Sequence, residues 1–192
     1  MAFDLRNALR SLKPQKHSTQ LERRPDAELA WAGDEAPIGS SLLLDTNVYL
    51  DVLQGRTPQA VDDLLTYRLC HHSAVCLAEL THVFGRLDPA HPTTKSVLKA
   101  VEETIEDIPA HRLHSPDASV WGQAGIVAGL LFRLSGLPKG EGHERRFLND
   151  ALIFHQAGLL GAAVLTGNVR DFDILSQLVP TGRVIFYRAA TR

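Results

Sequence analysis

Cysteine is scarce in this chain of 192 residues: Cys70 and Cys76 are the only two. Two thiols six residues apart match neither a zinc-ligand spacing nor a secreted disulfide framework, so a reducing, cytoplasmic setting is expected. Long apolar runs are also missing. No stretch approaches the roughly 18 apolar residues of a membrane span, and no apolar leader follows Met1. An excess of either charge is absent. The formal net charge is −2, so a nucleic acid would have to meet a local basic patch, not a basic protein. Internal repeats and low-complexity tracts are not found. What remains is ordinary globular material, with 44% hydrophobic and 22% charged residues. That suits one domain with a real core and excludes global disorder.

Residues 1–40 differ from the rest. Up to residue 24 they carry six Lys or Arg against Asp4 and Glu22; residues 25–40 carry Asp26, Glu28, Asp34 and Glu35 and no base. Leu5, Leu9 and Leu12 line a short amphipathic helix that ends before Pro14. We read residues 1–40 as an N-terminal extension, packed on the domain, on a partner or on nothing. Residues 41–192 form the domain.

Within the domain, short apolar runs alternate with helical periodicity. Strands are predicted at 42–45, 72–76, 111–114, 162–165 and 183–187. Helices are predicted through Val48–Leu53, Pro58–Leu65, Leu80–Phe84, 94–107, from Ser115 through Leu131, 144–159 and 172–178. A Gly/Lys/Glu-rich loop spans 135–142. This alternation predicts an α/β fold with a central, mostly parallel sheet flanked by helices.

Four acids sit where a core pattern does not favour them. Asp45 follows Leu42, Leu43 and Leu44 directly, at the mouth of a buried strand, where an unpaired charge would be costly. Thr166-Gly167-Asn168 ends another apolar strand, with Asp171 and Asp173 just beyond. In such folds ligands gather past the carboxyl ends of the strands. On the helix through Leu80, helical spacing places Glu79 beside the stripe of Leu80, Val83 and Phe84. On the later helix it places Asp150 between Phe147 and Phe154. Each acid alone is explained by a backbone hydrogen bond or an arginine. Gathered together, they would repel one another unless a cation were present. Oxygen donors without a histidine or cysteine cluster suit Mg²⁺ or Mn²⁺, not Zn²⁺. Such an ion at the mouth of a sheet suits phosphate chemistry.

The series LLLDTNVYLDVL, SAVCLAEL, NDALIFHQA and LTGNVRDFDIL resembles the PIN domains, most closely the VapC-type toxin ribonucleases of type II toxin–antitoxin pairs. The resemblance spans Ser41 to Tyr187. It places the family's acidic motif residues on Asp45, Glu79, Asp150 and Asp171, as catalytic residues and metal ligands, with Asp171 favoured over Asp173. Thr166 and Asn168 match the supporting Thr-x-Asn turn, and Asn47 joins them as site support. The resemblance implies a parallel sheet flanked by helices and Mg²⁺- or Mn²⁺-dependent hydrolysis of RNA, leaving a 5′-phosphate and a 3′-hydroxyl. It also implies a homodimer and a small cognate antitoxin as partner. An extension of some 40 residues departs from compact VapC-type members.

Arg170, Arg145, Arg146, Arg56 and Lys139 are the candidates for contacting RNA phosphates, with Arg170 favoured because it adjoins the acidic turn. Asp117 is read as a helix N-cap, Asp51 as surface, Cys76 as core, and Trp121 and Phe132 as core or dimer packing. His71 and His72 should point to opposite faces of a strand. Two rival functions stand beside the nuclease. One is a non-catalytic RNA- or protein-binding module on the same fold. The other is a haloacid-dehalogenase-like phosphatase, which wants a second Asp where this chain has Asn47.

Overall fold

A computed structural model describes residues 3–136 and 142–191; the Lys139 candidate lies outside them. The five strands are β1 (Leu42–Leu44), β2 (Cys70–Ser73), β3 (Leu113–His114), β4 (Ala163–Thr166) and β5 (Val184–Phe186). All pair in parallel, in the order β3-β2-β1-β4-β5. Among the described residues, eight helices accompany them: α1 (Leu5–Leu12), α2 (Thr46–Leu53), α3 (Gln59–Tyr67), α4 (Ala74–Arg86), α5 (Thr94–Glu106), α6 (Ala118–Ser135), α7 (His143–Leu160) and α8 (Val169–Leu178). The α/β architecture read from the alternation of elements is therefore present, and the sheet is parallel throughout.

Parallel strands covered on both faces need apolar side chains on both faces. Leu42, Leu43, Ala163, Val164 and Leu165 are fully buried. Phe147, Phe154 and Phe172 close the core from α7 and α8. The chain builds outward from β1 through β2 to β3 on one side. It then returns to place β4 and β5 on the other side. The strand order thus reverses between β1 and β4, and a crevice opens beyond their carboxyl ends.

Helix starts explain most of the shifts from the predicted boundaries. The predicted strand at 72–76 lies instead at Cys70–Ser73, because Ser73 caps α4: its hydroxyl accepts from the Val75 N–H at 3.1 Å. Helix α8 begins at Val169, three residues early, because Asn168 is its N-cap. Asp117 caps α6 as expected, accepting from the Val120 N–H at 2.9 Å. At 111–114 a 3-10 turn (Ala110–Arg112) leaves only two strand residues. His72 meets the Tyr49 hydroxyl at 2.7 Å, while His71 meets His114 across β3 at 3.0 Å, on the other face.

Three expectations for single residues need correction or are met. Asp51 is buried, not surface: it pairs with Arg56 at 2.7 Å and accepts from the Tyr187 hydroxyl at 2.8 Å. Tyr187, just past the end of β5, reaches α2 there, which the spacing from Asp45 alone does not show. Trp121 is half exposed on α6, which removes the core reading and leaves dimer packing as the expectation. Cys76 is buried, and burial pushes its thiol well above the usual range.

The described part of the N-terminal extension packs on the domain. Ala8 and Leu12 of α1 are buried, and Arg133 of α6 donates to the Pro14 and His17 carbonyls. Arg24 clamps the fully buried Asp173 through its backbone N–H at 2.8 Å and its Nε at 2.7 Å. The Phe186 N–H donates to the Ala30 carbonyl at 2.8 Å, so the extension runs along the outer edge of β5. Buried Arg68 holds Glu35 at 2.8 Å and the Ala36 carbonyl.

His155 on α7 has a buried Nε2 with no hydrogen-bond partner. Burial pushes its pKa down to about 4. The native state therefore holds this imidazole neutral, while the unfolded chain protonates it near pH 6.5. Its contribution to stability is complete above that pH and is lost as the pH falls through about 4. Chemical denaturation between pH 7 and 4 should show a smaller loss of stability for His155→Leu than for the parent chain. Equal slopes would contradict the assignment.

Candidate active site

Leu44 pairs with Leu165, and the Asp45 N–H donates to the Leu165 carbonyl at 3.1 Å. The next residues outward, Asp45 and Thr166, therefore meet at the switch point of the sheet. Both are buried. The Thr166 hydroxyl donates to Asp45 Oδ2 at 2.7 Å and accepts from the Asn168 N–H at 2.9 Å. Asp45 is also the N-cap of α2, accepting from the Thr46 N–H at 2.7 Å.

Asn47 joins the two strand ends. Its amide nitrogen donates to Asp45 Oδ2 and, at 3.2 Å, to Thr166 Oγ1. Its carbonyl oxygen accepts from the Gly167 N–H at 2.9 Å and the Tyr187 hydroxyl at 3.2 Å. All four of its contacts are neutral hydrogen bonds or a bond to Asp45, so Asn47 locks both loops without adding charge. This is also the position at which the phosphatase alternative wants a second carboxylate.

Asn168 gathers the next two acids. Its amide nitrogen donates to Asp150 Oδ2 at 3.2 Å and to Asp171 Oδ2 at 3.1 Å. One NH₂ group thus serves a carboxylate from α7 and another from the first turn of α8. Asp173 is directed elsewhere, to Arg24 and to Gln177. The structure thus brings Asp171 to this rim and leaves Asp173 in a structural ion pair.

Glu79 arrives from α4, half-buried. One oxygen accepts from the Thr46 hydroxyl, and the other accepts from the Asn149 amide at 2.6 Å. The sequence did not single out Asn149 or Thr46. Their only visible signal is adjacency, since each lies next to an acid on its helix, and helical periodicity does not flag a neutral amide. Beside Glu79 a cavity of about 420 Å³ opens, lined on its polar side by Thr46, Glu79, Asn149, Arg145 and Arg146.

The electrostatics follow from this crowding. Burial pushes Asp45 up to about 6, with Glu79 adding to the rise, while the bonds from Thr166, Thr46 and Asn47 oppose it. Burial also pushes Asp150 well above the usual carboxylate range, helped by Asp45, Asp171 and Glu79 and opposed by Arg146. Arg146 forms an ion pair with Asp171 Oδ2 at 2.9 Å. Among the described residues, no group of three or more carboxylates, thiols or imidazoles is placed so that it could hold a metal ion by itself. The donor set itself is all oxygen and rich in carboxylate. It fits a hard divalent ion held partly through water.

The candidate cations divide. Arg145 and Arg146 are exposed at the lip of the cavity. Arg170 is exposed on α8, and its guanidinium reaches the Ser135 carbonyl at 3.5 Å. Arg56 is not brought to this rim. It lies beyond the far end of α2, about 12 Å along the helix from Asp45, and is committed to Asp51.

No family model matches this chain, and no curated protein matches it. Among solved structures, the fold is similar to a chain of the VapBC2 complex of Rickettsia felis bound to a DNA fragment from its promoter. The identity is 17% and the TM-score 0.53, over 77% of this chain and 98% of that one. A chain of the FitAB complex bound to an IR36 DNA fragment is 22% identical, with a TM-score of 0.48, over 76% of this chain and 93% of that one. Among the described residues, no helix is long and apolar enough to cross a membrane.

Buried like charges make the site a local cost to folding. Asp150→Asn keeps an acceptor for Asn168 and removes one of those charges. In EDTA at pH 7.5, it should raise unfolding stability by about 1 kcal/mol. Urea denaturation measures this, and a less stable variant would show that the acid is well compensated as it stands.

Proposed function

We propose that this chain is a divalent-cation-dependent endoribonuclease and the toxin member of a toxin–antitoxin pair. The observation that carries this is the convergence of Asp45, Asp150, Asp171 and Glu79 on one rim of the sheet. They come from four separate elements and are tied together through Thr46, Asn47, Asn149, Thr166 and Asn168. The same four positions match the acidic motifs of the VapC-type PIN domains, and the fold likeness to a VapBC2 chain supports that match.

Asp45, Asp150, Asp171 and Glu79 would hold Mg²⁺ or Mn²⁺, some of them through water. A bound ion would offset the carboxylate charge and polarise a phosphoryl oxygen of the scissile phosphate. The chain's own contribution is positioning. Thr166, Asn47 and the Thr46 N–H fix the Asp45 carboxylate in one rotamer. Asn168 sets the distance between Asp150 and Asp171, and Asn149 with Thr46 turns Glu79 toward the rim. Arg145 and Arg146 at the lip, and Arg170 on the neighbouring helix, supply positive charge for backbone phosphates. Hydrolysis breaks the bond from phosphorus to the 3′-oxygen, leaving a 5′-phosphate on one fragment and a 3′-hydroxyl on the other.

A cognate antitoxin, a homodimeric state and a cytoplasmic location belong to the same proposal. They rest on the motif resemblance. A non-catalytic RNA- or protein-binding module is the competing function, and it would need no intact acid set.

The deciding experiment is degradation of single-stranded RNA by the full chain in Mg²⁺ or Mn²⁺, with and without EDTA. Cleavage should occur only with the metal. Asp45→Asn should lower it by at least about 100-fold, a loss of some 2.7 kcal/mol in transition-state stabilisation, while circular dichroism shows an intact fold. Full activity in Asp45→Asn would refute the assignment. RNA binding without cleavage under every metal condition would favour the module.

A further inference from the structure

Arg146 stands out among the cations because it is committed to the acid cluster itself. Its guanidinium touches Asp171 Oδ2 at 2.9 Å, on the same oxygen that accepts from Asn168. The Asp171 side chain is only 5% exposed, while that of Arg146 is 51% exposed. The positive charge therefore comes down from solvent onto a buried acid. Arg146 also lies one helical turn before Asp150 on α7, an i,i+4 pair that shares a face. Its charge bears on Asp150 as well. One side chain thus supplies positive charge to two of the four acids proposed to hold the metal.

We infer that Arg146 is a place-holding cation: it occupies the charge position of the divalent ion in the metal-free protein and passes to an RNA phosphate when the ion binds. This rests on the nuclease function proposed above and adds a role for a residue that motif matching leaves outside the site. The physical basis is a difference in hold. An ion pair with one partner half in solvent is weak, because water screens it. A doubly charged ion bound to several carboxylates outcompetes it. The displaced guanidinium remains tethered to α7 at the cavity lip beside Arg145, where a phosphate entering the site would pass. Arginine suits this exchange because its planar donors match carboxylate and phosphate oxygens alike.

The two halves of the exchange predict opposite changes on one substitution. Removing the place-holder should help the metal and hurt the RNA. Calorimetric titration of MnCl₂ into the full chain should show Arg146→Gln binding Mn²⁺ roughly fivefold more tightly than the parent chain. Arg146→Lys, which keeps the charge, should fall between them. At saturating Mn²⁺, Arg146→Gln should raise KM for a fluorescent single-stranded oligoribonucleotide severalfold, and the salt dependence of RNA binding should lose about one unit of slope. Asp45→Asn is the control for the site.

If Mn²⁺ binds in an Asp45-dependent way but Arg146→Gln binds it equally or more weakly, the place-holding role is overturned and the nuclease site stands. If Mn²⁺ tightens but KM and the salt slope do not change, the transfer to phosphate is overturned. If the parent chain does not bind Mn²⁺, or binds it equally in Asp45→Asn, the metal site itself fails and the inference falls with it.

Discussion

The constraint behind the rest of this structure is the crowding of buried carboxylates at one point of the sheet. Asp45, Asp150 and Asp171 are each no more than 6% exposed. Neutral donors supply most of their hydrogen bonds: Thr166, Asn47 and the Thr46 N–H for Asp45, and Asn168 for the other two. Such donors satisfy lone pairs but do not cancel charge. Burial therefore still drives Asp45 and Asp150 upward, and their neighbours drive them further. Apart from the Arg146 pair with Asp171, the hydrogen bonds around these acids come from neutral groups and leave their charge uncompensated. Asp173 shows the contrast two residues away. It is fully buried too, but Arg24 meets it with both a backbone and a side-chain donor.

Topology makes the crowding unavoidable. Because β1 and β4 are neighbours and run parallel, the residues leaving them must emerge side by side. Apolar packing behind the rim blocks any retreat. Phe147 and Ala151 flank Asp150 on α7 and Phe172 follows Asp171, all three fully buried. A core packed at crystal-like density does not yield to relieve repulsion between side chains. The extension strengthens this on the β5 side. Residues around Ala30 and Trp31 pair along an edge that would otherwise offer unpaired backbone groups, and Arg24 ties α8 to the same segment. The helix bearing Asp171 is thus held from behind by the N-terminal segment.

Legibility in the sequence follows the range of the interactions. The alternation of apolar strands and periodic helices revealed the α/β fold, because burial on both faces leaves a composition signal in the chain itself. Asp45 was visible because three leucines precede it. Asp150 was visible because Phe147 and Phe154 share its face. The strand end at Ser73 and the helix start after Asn168 were each misplaced by about three residues, since capping hydrogen bonds decide them and apolar content does not. Asp51 was misread because its burial depends on Tyr187, more than a hundred residues away. Asn149 was missed for the same reason: its role exists only because α4 delivers Glu79 to it. The motif resemblance favoured Asp171 over Asp173, but the reason Asp173 is turned away, its clamp by Arg24, is encoded by no local pattern.

The geometry also explains why amides, not additional cations, surround the acids. A lysine or arginine buried at Asn47 or Asn168 would settle the repulsion permanently. It would also bury a positive charge among the carboxylates, and breaking such a pair would strand a buried charge at a cost of several kcal/mol. Amides orient the carboxylate oxygens and leave the net charge open. Among the described residues, the arginine that does reach in, Arg146, comes from the solvent side and is half exposed. Fixed neutral donors below and an arginine from the solvent side above set the positions of the carboxylates without burying a positive charge among them.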